Sequence, residues 1–341
     1  MKLQLLVPQY KEDDHIISNL LNSILLQRNI DFKDIGIIVV NDGSDIKLSK
    51  KLINSYPFEI KYILAEHKGV SAARNRALKE ATADYVMFCD ADDMFYHALA
   101  IQSIFKEIDS KHFDCLWPDF IEELKDNKTK EYTYTVRTRS FVFVHGKVYN
   151  RQFLLDHDIW WDEELTLHED AYFNGLAIAQ VSTDKLVVDS DPYYMWCFRE
   201  GSISRNSIFY ILNTYDQNLK AQDKLVMKLM PVNVLEAINL VAIQLYQTFF
   251  LLTGTYKDIA TKNKEAENKL NYVYDLIAKF YDKFKDCYRH VSESERDRLF
   301  ASSKNGSFIF NEKDFKLEDF NKWLEELKKK YNIEFDDSAI M

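Results

Sequence analysis

Residues 37–45 read IIVVNDGSD, and residues 85–93 read YVMFCDADD. In both stretches a run of apolar residues with strand character leads directly into an acidic loop. Short apolar runs of this kind are typical of parallel sheets, in which ligands bind beyond the carboxyl ends of the strands. The two stretches therefore predict an α/β fold with a ligand site at one edge of its sheet.

The sequence around these two strands repeats the same alternation of strand and helix. Residues 3–7 and 60–64 are further short apolar runs, separated by amphipathic segments. Residues 120–144 change to Thr- and Tyr-rich alternation, which predicts a hairpin that extends the sheet. Residues 186–188 and 193–198 have the pattern of two more strands.

Length and the change of pattern along the chain predict two domains. At roughly 150 residues per domain, 341 residues leave room for two. Beyond residue 207 the strand pattern disappears and apolar residues recur at helical spacing, as at Phe320, Trp323 and Leu324. We therefore predict an α/β domain over residues 1–206 and an all-α C-terminal module over residues 207–341.

Composition and charge exclude several classes of protein. With 8 Gly and 5 Pro, the chain has too few of both for a collagen-like or low-complexity protein. A formal net charge of -10 repels a phosphate backbone, so nucleic acid is a poor partner. The four cysteines are far apart and lack CxxC spacing, which favours neither a disulfide framework nor a zinc site. We expect a reduced, cytoplasmic protein.

No secretion signal or membrane span is expected. A short strand and an acidic loop follow Met1 directly, unlike the long apolar core of a signal peptide. The most membrane-like stretch, residues 234–253, is interrupted by Glu236, Asn239 and Gln244, which favours a buried or partner-facing helix. Peripheral membrane association stays open.

The same stretch raises the question of self-association. Tyr246, Phe249 and Phe250 make it richer in aromatic residues than one small helical layer readily buries. Part of it is therefore a candidate surface for a homo-oligomer formed through the C-terminal helices, and simple packing inside the protein is the alternative.

The loop at residues 90–93 has the composition of a metal site. Asp90, Asp92 and Asp93 place three carboxylates in four residues at the end of a strand. Hard cations such as Mg²⁺ or Mn²⁺ are held by one or two carboxylates together with substrate phosphates. A solvated helix-capping cluster is the alternative. Because other polar loops end beside this one, we predict a divalent cation here.

Two neighbouring loops supply groups that suit a nucleoside. Asp42 follows a buried strand, although an Asp-Gly pair by itself is usually only a turn. The first strand runs into Pro8, Tyr10 and Glu12, which place an aromatic ring and a carboxylate at the same edge. A base held between these loops would have both stacking and hydrogen-bonding partners.

Five motifs in order make this sequence resemble the family 2 inverting glycosyltransferases. The motifs are VPQY at 7–10, NDGS at 41–44, GVSAARN at 69–75, DADD at 90–93 and EDAYF at 169–173. They cover about the first 205 residues, and five ordered motifs are far more specific than any one of them. The resemblance implies the GT-A fold, a Rossmann-like mixed sheet with flanking helices, and a nucleotide-sugar substrate.

The resemblance also implies roles for individual residues. Pro8, Tyr10, Glu12 and Asp42 line the nucleoside pocket, Asp42 reads uracil, Arg74 lies near the diphosphate, Asp90 lies near the ribose and the metal, and Asp92 of this DXD motif binds the metal. Asp170 is the general base that takes the proton of the acceptor hydroxyl, and Glu169 is the alternative carrier. The plain alternative for this acidic pair is an N-terminal helix cap.

Five other residues have two interpretations each. His67 stands where the family often has Asn, and it either donates to the nucleotide or caps a turn. Arg199 and Arg205 lie in a segment that closes over the donor in relatives, where they would neutralise the diphosphate, or they belong to a surface loop. Trp160 and Trp161 form an apolar platform for an acceptor sugar or lie partly in the core.

The resulting prediction is a metal-dependent inverting glycosyltransferase. It would transfer a hexose or N-acetylhexosamine from a UDP-sugar to a hydroxyl of a cell-surface glycan, teichoic acid, protein or small molecule. A nucleotidyltransferase and a non-catalytic carbohydrate- or partner-binding protein are the alternatives. The separate Glu169-Asp170 pair favours sugar transfer over the first, and the complete set of acidic residues favours an enzyme over the second. The sequence assigns no individual role to His145 or Lys147.

Overall fold

A computed structural model of the chain describes residues 1–126, 128–200, 210–254, 264–305 and 315–335. The chain divides into two compact units, Met1–Asn206 and Ser207–Met341. In the described residues the first unit combines strands with helices, and the second contains helices.

The first unit is built on one mixed sheet. Its strands are β1 (Leu3–Gln9), β2 (Ile35–Asp42), β3 (Glu59–Ala65), β4 (Tyr85–Phe88), β5 (Met94–Phe95), β6 (Cys115–Lys125), β7 (Tyr132–Arg137), β8 (Val148–Asn150) and β9 (Leu186–Trp196). The strand order is β3-β2-β1-β4-β8-β6-β9-β5, and β7 pairs with β6. Strands β3, β2, β1 and β4 are parallel neighbours.

The pairing confirms the α/β prediction and refines it. The parallel strands carry the loops after β1, β2 and β4 to one edge of the sheet, where the polar motifs were expected. Strand β8 joins antiparallel to β4, which makes the sheet mixed. The two strands expected at 186–188 and 193–198 are one strand, β9, whose register against β6 shifts beside Asp119. The two- and three-residue strands β5 and β8 were too short for the sequence pattern to predict.

Helices cover the sheet of the first unit. They are α1 (Asp14–Leu25), α2 (Lys50–Ile53), α3 (Val70–Glu80), α4 (Ala100–Ser110), α5 (Arg151–Asp156) and α6 (Glu169–Ile178). Asp13 caps α1 by accepting a hydrogen bond from the backbone N–H of Ile16 at 3.0 Å. Ile17 of α1 and Ile104 of α4 are buried with Leu5 and Met87 of the sheet in a single apolar core. The positions of α3 and α6 matter most for function, because both begin at motif residues.

The second unit is an assembly of helices, as predicted. They are α7 (Tyr210–Asn213), α8 (Tyr215–Leu229), α9 (Val234–Thr253), α10 (Lys264–Arg289), α11 (Glu293–Asn305) and α12 (Leu317–Tyr331). Helix α9 forms the centre of the core, where Tyr246 and Phe249 are buried. Phe320 of α12 is fully buried against both rings, with centroid distances of 4.7 and 5.6 Å.

The packing of α9 corrects the prediction that its aromatic residues form a candidate surface for a homo-oligomer. Tyr246, Phe249 and Phe250 are at most 2% exposed within this unit, because rings from other helices of the unit surround them. They therefore offer no free surface for a homo-oligomer. By length and composition α9 is the one described helix that could cross a membrane, a test that the core helix of a soluble protein also passes.

We predict that Phe320→Ala destabilises the protein by about 3–5 kcal/mol, the usual cost of removing a buried phenyl ring. The reason is the loss of its contacts with Tyr246 and Phe249 in the centre of the helical core. Urea unfolding followed by circular dichroism measures the change. Tyr272→Ala, at a half-exposed ring of the same unit, is the control, and an equal loss in both variants would contradict the prediction.

Candidate active site

Arg74 joins three motifs that are far apart in the sequence. This residue of α3 is 3% exposed. Its Nη1 donates to Asp170 Oδ1 at 2.9 Å and to Glu169 Oε1 at 3.3 Å. Its Nη2 donates to Asp90 Oδ1 at 3.0 Å. One guanidinium group therefore holds together the end of β4 and the start of α6, and all of these residues were predicted site residues.

The aromatic residue beneath Arg74 is Trp161. The guanidinium lies 4.3 Å from the centroid of the indole, which stacks on Phe173 at 4.3 Å. Asn75 fixes the backbone of Trp161 by donating to its carbonyl at 2.9 Å and accepting from its N–H at 3.0 Å. Trp161 is thus a core residue that supports Arg74, which corrects its prediction as a platform for a sugar. Trp160 is half-buried beside Lys79.

The charged groups around Arg74 shift one another's pKa values. Burial alone would lower the pKa of Arg74, but Asp170, Asp90 and Glu169 outweigh it and raise the pKa. Burial likewise opposes ionisation of Asp90, yet Arg74 lowers the pKa of this carboxyl. For Glu169, burial and then the charge of Asp170 dominate and raise the pKa to about 7. The acidic pair therefore contains one carboxyl group that titrates near neutrality.

Behind the loop at 90–93 lies a buried pair, Asp93 and His145. Asp93 accepts a hydrogen bond from the backbone N–H of Cys197 at 2.9 Å, and His145 Nδ1 is 3.8 Å from its other oxygen. Potential ligand atoms of Asp90, Asp93 and His145 lie within 4.8 Å of one another. Burial lowers the pKa of His145 to about 4, so the imidazole is neutral at pH 7. The sequence assigned no individual role to His145, and its proximity to Asp93 depends on contacts between segments that are distant in the chain.

Asp92 occupies the open side of the same loop. Its side chain is 28% exposed, and Arg199 Nη1 lies 3.2 Å from Asp92 Oδ2 and 2.6 Å from Glu12 Oε1. Burial and the neighbouring Asp90 raise the pKa of Asp92. Arg199 thus bridges the loop after β1 and the loop after β4. This position agrees with its predicted place beside the donor. Arg205 lies outside the described residues.

The predicted nucleoside residues also come together. Both oxygens of Asp42 are used at the start of α3, accepting from the N–H groups of Lys68 at 2.8 Å and Gly69 at 2.9 Å. His67 Nδ1 lies 2.8 Å from the same carboxylate, and its ring stacks on Tyr10 at 4.5 Å. His67 and Asp42 therefore build the turn that precedes α3, whereas the exposed ring of Tyr10 remains accessible.

Two more contacts complete the edge of the sheet. The backbone N–H of Tyr10 donates to Glu12 Oε2 at 2.6 Å, so the Tyr10 loop connects directly to Arg199 and Asp92. Pro8 is half-buried in β1, where it faces the end of β2. The predicted residues that the structure describes, apart from Pro8 and the two tryptophans, thus form one series of contacts from Asp42 to Arg199. Arg74 and its carboxylates join this series through the 90–93 loop.

We predict that the free energy of unfolding of Glu169→Gln increases relative to that of the wild type as pH rises. A carboxyl whose pKa is raised from 4.5 to about 7 makes the folded state bind extra protons between these values, so its ionisation costs stability above pH 7. Relative to wild type, the variant should gain up to about 3 kcal/mol between pH 4.5 and pH 8. Urea unfolding at both pH values tests this, with Glu59→Gln on β3 as the control. A pH-independent difference would contradict it.

Comparison with solved structures shows the same fold. The crystal structure of Staphylococcus aureus TarS 1-349 in complex with UDP-GlcNAc matches with a TM-score of 0.59 and 21% identity, covering 92% of this chain and 95% of that chain. The structure of TarS 1-349 with UDP has a TM-score of 0.56. At this identity the likeness concerns the fold, which is GT-A.

Sequence comparison finds named glycosyltransferases. The glycosyltransferase GlyA of Streptococcus pneumoniae is 28% identical over 230 residues, which cover 60% of this chain and 32% of GlyA. The poly(ribitol-phosphate) beta-N-acetylglucosaminyltransferase TarS of Staphylococcus aureus is 26% identical over 205 residues, which cover 57% of this chain and 35% of TarS. The matched region is thus about a third of the length of each of these relatives.

The family model called glycosyl transferase family 2 matches residues 5–167. This range contains Arg74, Asp90 and the loops after β1, β2 and β4, and it ends just before the acidic pair. Together with the GT-A fold and the named relatives, the match identifies a glycosyl transferase family 2 domain at residues 5–167 of this chain.

Proposed function

We propose that the protein is a metal-dependent inverting glycosyltransferase that moves a hexose or N-acetylhexosamine from a UDP-sugar to an acceptor hydroxyl. The observation that carries this proposal is the contact of Arg74 with Asp90, Glu169 and Asp170. The motifs assigned to the donor and to the acceptor thereby lie around one guanidinium group, an arrangement that would hold both substrates close together. The likeness to TarS crystallised with UDP-GlcNAc supports a UDP-sugar as donor.

Asp170 is the proposed general base. It lies in the first turn of α6, and its Oδ1 and Oδ2 each accept one hydrogen bond, from Arg74 and from the N–H of Val144. Each carboxylate oxygen can accept more than one such bond, so capacity remains for an acceptor hydroxyl. As that hydroxyl loses its proton to Asp170, its oxygen bonds to the anomeric carbon and the bond to UDP breaks on the opposite face. Glu169 is the alternative base.

The donor would lie along the loops after β1, β2 and β4. The exposed ring of Tyr10 suits stacking with a base, and Asp42 and Pro8 are the other proposed residues of the nucleoside pocket. Arg199 now pairs with Asp92 and Glu12 at the place proposed for the diphosphate. When the donor binds, Arg199 would exchange these carboxylates for diphosphate oxygens, because a guanidinium group binds phosphate well. His67 contributes through its stack on Tyr10.

The residues present fit a divalent cation. Asp90 and Asp92 are partly exposed carboxylates in an acidic loop, a donor set that suits Mn²⁺ or Mg²⁺. Asp93 and His145 are buried, so they would support the site from behind. When bound, such a cation supplies positive charge that stabilises the leaving diphosphate.

The proposed acceptor is inferred from the names of relatives, and the proposed cellular location is inferred from the cysteines. The name of TarS, and that of the minor teichoic acid biosynthesis protein GgaA of Bacillus subtilis, 22% identical over 315 residues, make a teichoic-acid-like glycan the first acceptor to test. All four cysteines are free thiols, which suits the reducing cytoplasm. Peripheral association with a membrane would bring the enzyme to such an acceptor.

We predict that Asp170→Asn lowers the transfer rate at least a hundredfold, roughly the lower limit for general bases. The amide keeps the size of the side chain but cannot take the proton. The assay is UDP release from the UDP-sugar that most raises the melting temperature with Mn²⁺, with and without poly(ribitol phosphate). UDP affinity should stay unchanged. Asp13→Asn, the same substitution at the cap of α1, is the control. If Asp170→Asn kept more than a tenth of the wild-type transfer rate, the base would be another residue, and Glu169 would be the first candidate.

We predict that Asp92→Ala removes most of the Mn²⁺ dependence of UDP binding, because this residue is the proposed ligand on the open side. Asp42→Ala should keep the Mn²⁺ dependence and instead weaken the preference for uridine over other nucleoside diphosphates. Calorimetric titration of UDP and of CDP, each with and without Mn²⁺, separates the two effects. An undiminished metal response in Asp92→Ala would exclude this residue as a ligand.

A further inference from the structure

A single peptide group connects Asp170 to a buried lysine. The backbone N–H of Val144 donates to Asp170 Oδ2 at 3.0 Å. On the other side of the same peptide group, the carbonyl of Phe143 accepts a hydrogen bond from Lys147 Nζ. The peptide unit is planar and trans, so its C=O and N–H point in opposite directions. Whatever fixes the carbonyl therefore also aims the N–H at Asp170.

Lys147 is an unusual residue to find at this place. It is 1% exposed, whereas lysines are almost never fully buried without a partner. Its ammonium group lies 5.2 Å from the centroid of the Trp117 ring, and its own backbone N–H donates to the carbonyl of Val144 at 3.2 Å. Burial lowers the pKa of Lys147 to about 7, which reflects the cost of keeping the side chain in this position. Packing alone would be satisfied by an apolar residue.

A second set of buried polar groups holds the same turn, residues 142–147, from the side of α6. Asn174, fully buried one helical turn after Asp170, donates to the carbonyl of Val142 at 2.8 Å. Its Oδ1 accepts a hydrogen bond from the hydroxyl of Tyr149 at 2.5 Å. The helix that carries the proposed base therefore also anchors the turn that orients it. Gly146, with φ of 75°, allows the chain to reverse within this turn.

We propose that Lys147 is a positioning residue for the transfer reaction and acts on Asp170 through the peptide group between Phe143 and Val144. The Lys147 nitrogen fixes the peptide plane by donating to the carbonyl of Phe143, and the same hydrogen bond polarises the peptide group and strengthens the N–H bond to Asp170 Oδ2. Arg74 holds Oδ1 and Val144 holds Oδ2, and these two hydrogen bonds restrain the rotation of the carboxylate. This proposal rests on the proposed function, because it assigns Asp170 as the base.

The first test is Lys147→Met, which keeps most of the length of the side chain and removes the nitrogen that donates to Phe143. We expect kcat for UDP release from the selected UDP-sugar to fall 10- to 100-fold, because displacing a catalytic group by about 1 Å can cost about a hundredfold. KM for the donor and the affinity for UDP should stay within twofold of wild type. A purely structural role would weaken UDP binding as well. Lys185→Met is the matched control, because Lys185 also donates to a backbone carbonyl, that of His112 at 2.9 Å.

A double-mutant cycle decides whether Lys147 acts through Asp170. In the Asp170→Asn background, Lys147→Met should cause little further loss, because the group that it positions no longer works as a base. Losses that multiply would overturn the proposal, as would a kcat within twofold of wild type for Lys147→Met. Asp170→Asn alone tests the proposed function, so the two ideas fail separately.

A second variant keeps the test valid if Lys147→Met does not fold. Tyr149→Phe removes one hydroxyl from the set that anchors the same turn and leaves the ring in the core. We expect a 2- to 5-fold lower kcat with unchanged KM, and no additional loss in the Asp170→Asn background. An unchanged kcat in a folded Tyr149→Phe protein would overturn the role of the turn in orienting Asp170.

Discussion

A buried guanidinium group needs hydrogen-bond acceptors around it, and this constraint organises the first unit. Taking a charge out of water costs several kcal/mol unless partners replace the hydration. Arg74 meets most of the requirement, because its two Nη atoms donate to three carboxylates and its plane lies on Trp161, while its Nε has no hydrogen-bond partner among the described residues. The dependence is mutual, because Asp90, Glu169 and Asp170 would repel one another without the cation between them. The start of α6, the end of β4 and the middle of α3 are thereby held in one arrangement.

The same charges divide the site into an open side and a closed side. On the open side, Asp92 and Arg199 are partly exposed and pair with each other, so a ligand can reach both. On the closed side, Asp93, His145 and Lys147 are buried among aromatic rings. Groups on the open side suit binding and exchange of partners, whereas groups on the closed side suit a fixed geometry. The carboxylate of Asp170 stands where the two sides meet.

The helical unit follows a different principle, because its core is aromatic rather than charged. Rings on α9, α10, α11 and α12 meet edge to face around Tyr246 and Phe320. The rings that make α9 look suited to a partner or a membrane are the rings that hold this unit together. Their burial shows how a composition typical of an interface can equally be that of a core.

The sequence by itself determined the α/β class, the helical C-terminal region, the loops that carry the site and most of the residues in it. These features depend on local patterns, since an apolar run followed by acidic residues marks the end of a strand wherever it occurs. Only the tertiary structure decided that Trp161 supports Arg74, that Asp42 is engaged at the start of α3 and that Lys147 lies behind Asp170. These facts depend on contacts between segments up to about a hundred residues apart, and no local pattern encodes which buried polar group meets which partner.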